Sequence, residues 1–137
     1  MIDYYMDVAF RTAELSRAVK LKVGAVVVTV DDCVLYGWNG TVTGADNSCE
    51  QVLEDGSLKT LDTVLHAENN CLMKLAKSTL SGKGASLFQT HSPCMDCAKL
   101  IYQAGIVSVH YAIDYRCDRG IEFLNQCGIT VIQHPRK

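Results

Sequence analysis

Residues 85–97 decide how this chain folds: Ala85-Ser86-Leu87-Phe88-Gln89-Thr90, then His91-Ser92, then Pro93-Cys94-Met95-Asp96-Cys97. The first six read as a strand. Pro93 suits the first position of a helix, where no N–H partner is lost. Cys94 and Cys97 are three apart at the start of that helix and share one face. Free amides and the positive end of the helix dipole favour thiolates there. A strand that runs into a helix bearing reactive groups is the ligand-binding junction of an α/β sheet.

A second junction lies upstream. His66-Ala67-Glu68 opens a stretch of helical composition that runs to about Lys77. His66 and Glu68 differ by about 200° around a helix, so both reach one site only if it lies off the helix tip. The spacing predicts a site at the N-terminal ends of both helices.

The remaining elements follow the same logic. Apolar residues at Val8, Ala9, Leu15, Ala18 and Val19 give an opening helix. Val23 to Val30 reads as a buried strand, Asp31-Asp32 as a turn, and Cys33 to Trp38 as the second strand of a hairpin. From Asn39 to about Thr63 the chain is polar, glycine-containing and without periodicity, a loop long enough to suggest function. Val107 to Ile113, Arg119 to Cys127 and Ile129 to Ile132 read as strand, helix and strand. The order α-β-β-α-β-α-β-α-β implies a mostly parallel sheet covered on both sides. The expected fold class is α/β, three layers α/β/α, with a mixed five-stranded sheet and a single domain over residues 1–137.

Bulk properties bound the function. Thirteen basic against fifteen acidic residues give a net charge of −2, with no basic stripe. That leans away from a nucleic-acid polymer as partner. No window approaches the roughly 20 apolar residues of a membrane span. Met1-Ile2-Asp3-Tyr4 lacks a secretory pattern, and seven cysteines without one point to a reducing, cytoplasmic location. Cys33, Cys71 and Cys127 lie in apolar surroundings and read as buried small hydrophobes.

His66, Cys94 and Cys97 are three zinc ligands that leave a fourth tetrahedral position for water, the arrangement of a catalytic site with one Zn2+. Glu68 as a ligand would close that shell, so it is assigned as the proton shuttle. Taken alone, Cys-x-x-Cys is also a redox pair or half a zinc knuckle, and His-Ala-Glu alone is near noise. The pattern His-x-Glu…Pro-Cys-x-x-Cys is the signature of the zinc nucleobase deaminases.

Longer segments narrow the resemblance. Val23-Gly24-Ala25-Val26-Val27-Val28, Gly37-Trp38-Asn39-Gly40-Thr41 with Gly44 and Asn47, His66-Ala67-Glu68-Asn69-Asn70, and Ser92-Pro93-Cys94-Met95-Asp96-Cys97 together resemble the deoxycytidylate (dCMP) deaminase family, from about Lys20 to the C-terminus. The resemblance implies a cytidine deaminase-like fold. It implies hydrolysis of dCMP to dUMP and ammonia, supplying the precursor of dTMP. It also implies a homohexamer activated by dCTP with Mg2+ and inhibited by dTTP. The family often has tyrosine or phenylalanine where Trp38 stands and proline where Val42 stands. Cys49 falls where some members hold a second zinc, but lacks partners.

The resemblance further implies that Asn39 contacts substrate and that the backbone of Ala67 and Ser92 reads the pyrimidine edge. A 5′-phosphate needs fixed donors or cations. Lys20 and Lys22 before the first strand and Arg116 after the fourth are the candidates, against a reading as solvated charge. Tyr115 either stacks on the base or packs. Asn70 and Trp38 are candidates for the effector site. His91 is read as structural, His110 as core or interface, and His134 as exposed. The rival readings are a deaminase of another cytosine substrate, nucleoside or polynucleotide, and a non-enzymatic zinc-stabilised binding module.

Overall fold

The computed structural model describes residues 1–136. Helix α1 (Ile2–Ala13) is followed by β1 (Gly24–Val28) and β2 (Val34–Trp38), then by a short pair, β3 (Glu50–Val52) and β4 (Leu58–Thr60). The order continues with α2 (Ala67–Ala76), β5 (Ser86–His91), α3 (Met95–Gln103), β6 (Ser108–Ile113), α4 (Arg119–Gln126) and β7 (Thr130–Gln133). The five-stranded sheet has the order β2-β1-β5-β6-β7.

The sheet is mixed, as expected, but it is not mostly parallel. β1 pairs antiparallel with both β2 and β5, while β5–β6 and β6–β7 are parallel. The cause is the β1–β2 hairpin: β2 takes the edge, so β5 joins β1 on its other side in the opposite direction. The stretch 39–63 is also not structureless. It carries the β3–β4 pair, whose three-residue strands are too short for a periodicity to show.

Strand alternation sends side chains to two cores. Val27, Leu87 and Val109 meet Cys71 and Leu75 of α2, Ala98 and Ile101 of α3 and Leu124 of α4. Val26, Val28 and Phe88 meet Tyr5, Met6 and Ala9 of α1. The three layers are therefore α1, the sheet, and α2–α4. The all-buried β1 shows why residues 24–28 read as a continuous apolar run.

Two glycines set how closely the helices dock. A Cβ on Gly37 would collide with the carbonyl oxygen of Ala67 and with Cys71, so β2 lies directly against the start of α2. A Cβ on Gly120 would collide with the carbonyls of Pro93 and Cys94, so α4 lies against the start of α3. Both contacts fall at the two junctions that carry the reactive groups.

Candidate active site

His66 is the N-cap of α2, with extended backbone, and Cys94 is the N-cap of α3. Pro93 thus precedes the cap instead of occupying the first helical turn. Its carbonyl is pressed against Gly120, which fixes the chain before the helix begins. Cys97 sits in the first turn of α3 and is fully buried, while His66 is exposed. The predicted site off both helix tips is the one observed.

The His66 Nδ1 lies 3.2 Å from the Cys97 Sγ and 3.7 Å from the Cys94 Sγ. All three donor atoms lie within 4.8 Å of one another. Zinc bonds of about 2.0–2.1 Å to nitrogen and 2.3 Å to sulfur place tetrahedral donors about 3.5 Å apart. The donor set fits one zinc ion with three protein ligands. Among the described residues this is the one His/Cys/Asp/Glu group with such closeness.

Electrostatics suit the same role. Hydrogen bonds from Cys97 and His66 pull the Cys94 thiol down to about 4. The Cys94 thiolate in turn holds the Cys97 thiol and the His66 ring above their ordinary values. One thiolate is preformed, and the other two donors lose a proton when a cation arrives.

Glu68, two residues into the same junction, is buried. Burial pushes its carboxyl up to about 7, against its own backbone N–H, the His66 ring and the Gln89 side chain, which favour the carboxylate. A carboxyl poised near neutrality is suited to accept and return a proton.

A cleft of about 680 Å³ opens over these groups. His66, Ala67, Glu68, Ser92 and Cys94 form its floor, and Asn39, His91, Tyr115 and Arg116 stand around it. The β3–β4 arm supplies a wall through Glu50, Lys59 and Thr60. The Glu50 carboxylate accepts the backbone N–H groups of Val19 at 2.9 Å and Lys20 at 3.1 Å, joining that wall to the segment before β1.

The candidate residues divide. Ala67 is the first residue of α2, where the helix leaves its N–H free. The Ser92 N–H is donated to the Ile113 carbonyl and its Oγ accepts from the Tyr115 N–H, so the Ser92 carbonyl is what it offers a ligand. Asn39 lines the cleft, yet its Oδ1 accepts from the Val23 N–H and its Nδ2 donates to the Leu21 carbonyl, each at 2.8 Å. It holds the wall and retains one N–H. The Arg116 guanidinium lies over the Tyr115 ring at 4.9 Å. Lys22 is exposed and outside the cleft; its neighbour Lys20 lines it, because the chain turns residue 22 outward between Leu21 and Val23.

Asn70 and Trp38 are joined to each other, not to the main cleft. Asn70 Nδ2 donates to the Trp38 carbonyl at 2.8 Å, and Trp38 borders a small separate cavity with Arg17, Gly40, Thr41, Asn47 and Cys49. His134 is not simply exposed: its ring stacks on His110, with 2.8 Å between Nε2 and the His110 Nδ1. Cys71 is buried as expected, whereas Cys33 and Cys127 are half-buried. Sequence reasoning missed Lys59, which lines the cleft, and His91, read as structural, lines it as well.

Comparisons with known proteins agree with this geometry. Residues 1–113 match the family model of the cytidine and deoxycytidylate deaminase zinc-binding region. The ComE operon protein 2 of Bacillus subtilis is 35% identical over 136 residues, covering 96% of this chain and 69% of that protein. The deoxycytidylate deaminase of Saccharomyces cerevisiae is 35% identical over 137 residues, 96% of this chain but 44% of the yeast protein. The crystal structure of dCMP deaminase from the cyanophage S-TIM5 in complex with dCMP and dUMP superposes with a TM-score of 0.88 at 47% identity, covering 96% of this chain and 95% of the phage chain. With its three-layer fold and its His66, Cys94 and Cys97 donor set, the chain belongs to the cytidine and deoxycytidylate deaminase family.

Proposed function

We propose that this chain is a zinc-dependent hydrolase that converts dCMP and water to dUMP and ammonia. The observation that carries the reading is the pairing of a three-donor site, His66, Cys94 and Cys97, with the buried, unligated carboxyl of Glu68 beside it. The phage enzyme whose complex holds dCMP and dUMP, similar over 96% of this chain, supports the substrate.

His66, Cys94 and Cys97 would hold the zinc, which supplies Lewis-acid activation of water near neutral pH. Glu68 takes the water proton and delivers it to the pyrimidine ring nitrogen beside the amino-bearing carbon. The C–O bond forms at that carbon. Glu68 then takes the proton of the newly attached hydroxyl and delivers it to the amine, the C–N bond breaks as the carbonyl forms, and ammonia leaves. The Ala67 N–H and the Ser92 carbonyl present a donor and an acceptor to the pyrimidine edge. Arg116, Lys20 and Lys59 are the cations of the cleft suited to a 5′-phosphate. Tyr115, beneath Arg116, offers a ring face to the base.

Control by dCTP with Mg2+ and by dTTP, a homohexameric assembly, a single catalytic domain and a cytoplasmic location complete the proposal. Trp38 and Asn70, joined by the hydrogen bond from the Asn70 Nδ2 to the Trp38 carbonyl, are the residues this reading assigns to the effector site. Seven free thiols suit a reducing compartment. No described helix is long and apolar enough to cross a membrane.

The test is ammonia release from dCMP, deoxycytidine, cytidine and guanine, with and without dCTP or dTTP. dCMP is expected to be the preferred substrate. Preference for deoxycytidine would overturn the phosphate contacts, and release from none of them would overturn the activity.

A further inference from the structure

His91 ends β5, lines the cleft, and pairs in register with Ile113 of β6. Two residues beyond Ile113 comes Tyr115, whose ring stands edge to face with the His91 ring, centroids 6.0 Å apart. The Arg116 guanidinium lies over the same tyrosine ring. The three side chains form one group on the side of the cleft that carries a cation suited to a phosphate.

A buried chain of hydrogen bonds sets which nitrogen of the His91 ring carries the hydrogen. The Thr90 side chain is wholly shielded from solvent. Its Oγ1 accepts from the Gly24 N–H at 3.2 Å and lies 2.7 Å from the His91 Nδ1. A hydroxyl also has one hydrogen to give, and leaving it buried without an acceptor is costly. Among the described residues Nδ1 is the one acceptor that Oγ1 meets. Thr90 therefore donates to Nδ1, and the ring hydrogen sits on Nε2, where the charged ring carries one too. Nε2 meets no partner among the described residues, and the buried side-chain atoms left without one there are Asn69 Oδ1 and Gln89 Oε1. Nε2 is thus open to the cleft that His91 lines, as an oriented N–H donor.

We propose that the His91 Nε2–H donates to the 5′-phosphate of the substrate, beside Arg116, and so helps the site select the nucleotide over the nucleoside. The proposal rests on the reading of the chain as a dCMP deaminase. The pyrimidine edge has its own partners in the Ala67 N–H and the Ser92 carbonyl. Arg116 and Lys20 bring charge to the phosphate, and His91, held from behind by the Thr90 hydroxyl, brings direction. Thr90 acts through His91 as a positioning residue.

Two nucleotide–nucleoside pairs test this on the zinc-loaded protein. In His91→Phe the ratio of kcat/KM for dCMP to that for deoxycytidine should fall about 10- to 100-fold, the range for a hydrogen bond to a charged group. His91→Gln, whose amide can place an N–H near the position of Nε2, should recover part of that ratio. Equal losses on both substrates would overturn the proposal, because a ring that only packs serves both.

The second pair, dUMP and deoxyuridine, needs no turnover. Nitrogen NMR of the histidine-labelled protein, with the His91 signals assigned by their loss in His91→Phe, should show the ring protonated at Nε2. Thr90→Val should weaken that preference and Thr90→Ser should keep it. Saturating dUMP should move the Nε2 signal further than saturating deoxyuridine. A ring protonated at Nδ1, or equal shifts with the two probes, would overturn the contact. If the wild-type chain released no ammonia from dCMP, the functional reading would fail, whereas the larger shift with dUMP would still uphold the phosphate contact.

Discussion

His66 Nδ1 lies 3.2 Å from Cys97 Sγ although 31 residues separate them in the chain. The approach is made by two helix starts, α2 and α3, each locked by a glycine contact. Gly37 admits α2 and Gly120 admits α3. The zinc site is therefore a property of helix docking.

Gly120→Ala should damage the site without touching a ligand. The added methyl meets the carbonyls of Pro93 and Cys94, which are backbone and cannot swing aside. Overpacking of this kind costs about 1–3 kcal/mol. Zinc affinity should fall along with the melting temperature. Titration against a chelator of known strength checks this. Unchanged affinity in a folded variant would show that α4 does not set the Cys94 cap.

Zinc uptake should be steeply pH-dependent. The Cys94 thiol, pulled down to about 4, is ionised at neutral pH, but the Cys97 thiol and the His66 ring are both held above their ordinary values and must give up protons. Each proton released changes apparent affinity about tenfold per pH unit. Affinity should therefore rise with pH through the neutral range. Calorimetry in buffers of different ionisation enthalpy counts the protons. Release of none would contradict the protonation states inferred for the free site.

Glu68→Gln should remove turnover and keep the metal. Loss of one general acid/base group costs about 10²–10⁴-fold, and more where one group serves two transfers. The same substitution has a stability signature in the metal-free protein. Burial raises the Glu68 carboxyl from 4.5 to about 7. The folded state thus holds the proton more tightly than the unfolded one. Its contribution is complete below about pH 4.5 and is lost as pH rises through about 7, a difference of about 3 kcal/mol. Glu68→Gln should remove that part of the decline between pH 5 and pH 8. Denaturant midpoints of both proteins at the two pH values are the measurement.

The sequence exposed these features unevenly, for physical reasons. Zinc ligation needs specific donors at fixed helical spacing, so His66, Cys94 and Cys97 were readable from residue type and position alone. Layering was readable because β1 is a buried apolar run and the later strands alternate with helices. Strand direction was not, because the side chains of Val23 to Val30 are the same whether β5 joins parallel or antiparallel. The β3–β4 arm was hidden for another reason. Three residues per strand carry no period, and Glu50 to Thr60 are mostly solvated. Asn39 shows the limit of residue type as a guide. An amide on the cleft wall is equally suited to a ligand and to the backbone, and the Val23 N–H and Leu21 carbonyl have engaged it.

His110 should set part of the acid sensitivity of the fold. Its ring stacks on Phe88 with centroids 4.6 Å apart, and burial together with His134 holds its pKa below the ordinary 6.5. The unfolded chain therefore takes up a proton there more readily. The neutral ring stabilises the fold above about pH 6.5, and that contribution is lost as pH falls below it. His110→Phe keeps the stack and removes the titration. Its melting temperature should decline less between pH 7 and pH 5 than that of the wild type. An unchanged slope would place the acid sensitivity elsewhere.

Glu50→Ala tests whether the arm is part of the substrate site. Glu50 joins the β3–β4 wall to the 19–20 segment through two backbone N–H groups and stands on β3, a different element from the α2 helix that bears Glu68. Hydrogen bonds to a charged acceptor contribute about 1.5–3 kcal/mol, with exposed ones at the low end. Removing them loosens a wall that carries Lys59 and faces Lys20, the cations offered to a phosphate. Binding should weaken while the chemistry at Glu68 continues. KM for dCMP should rise about tenfold, since 1.4 kcal/mol is a factor of ten, and kcat should change by less than about twofold. An equal fall in kcat would mean that the arm shapes the reacting geometry itself. No change in either would leave the wall without a part in holding the nucleotide.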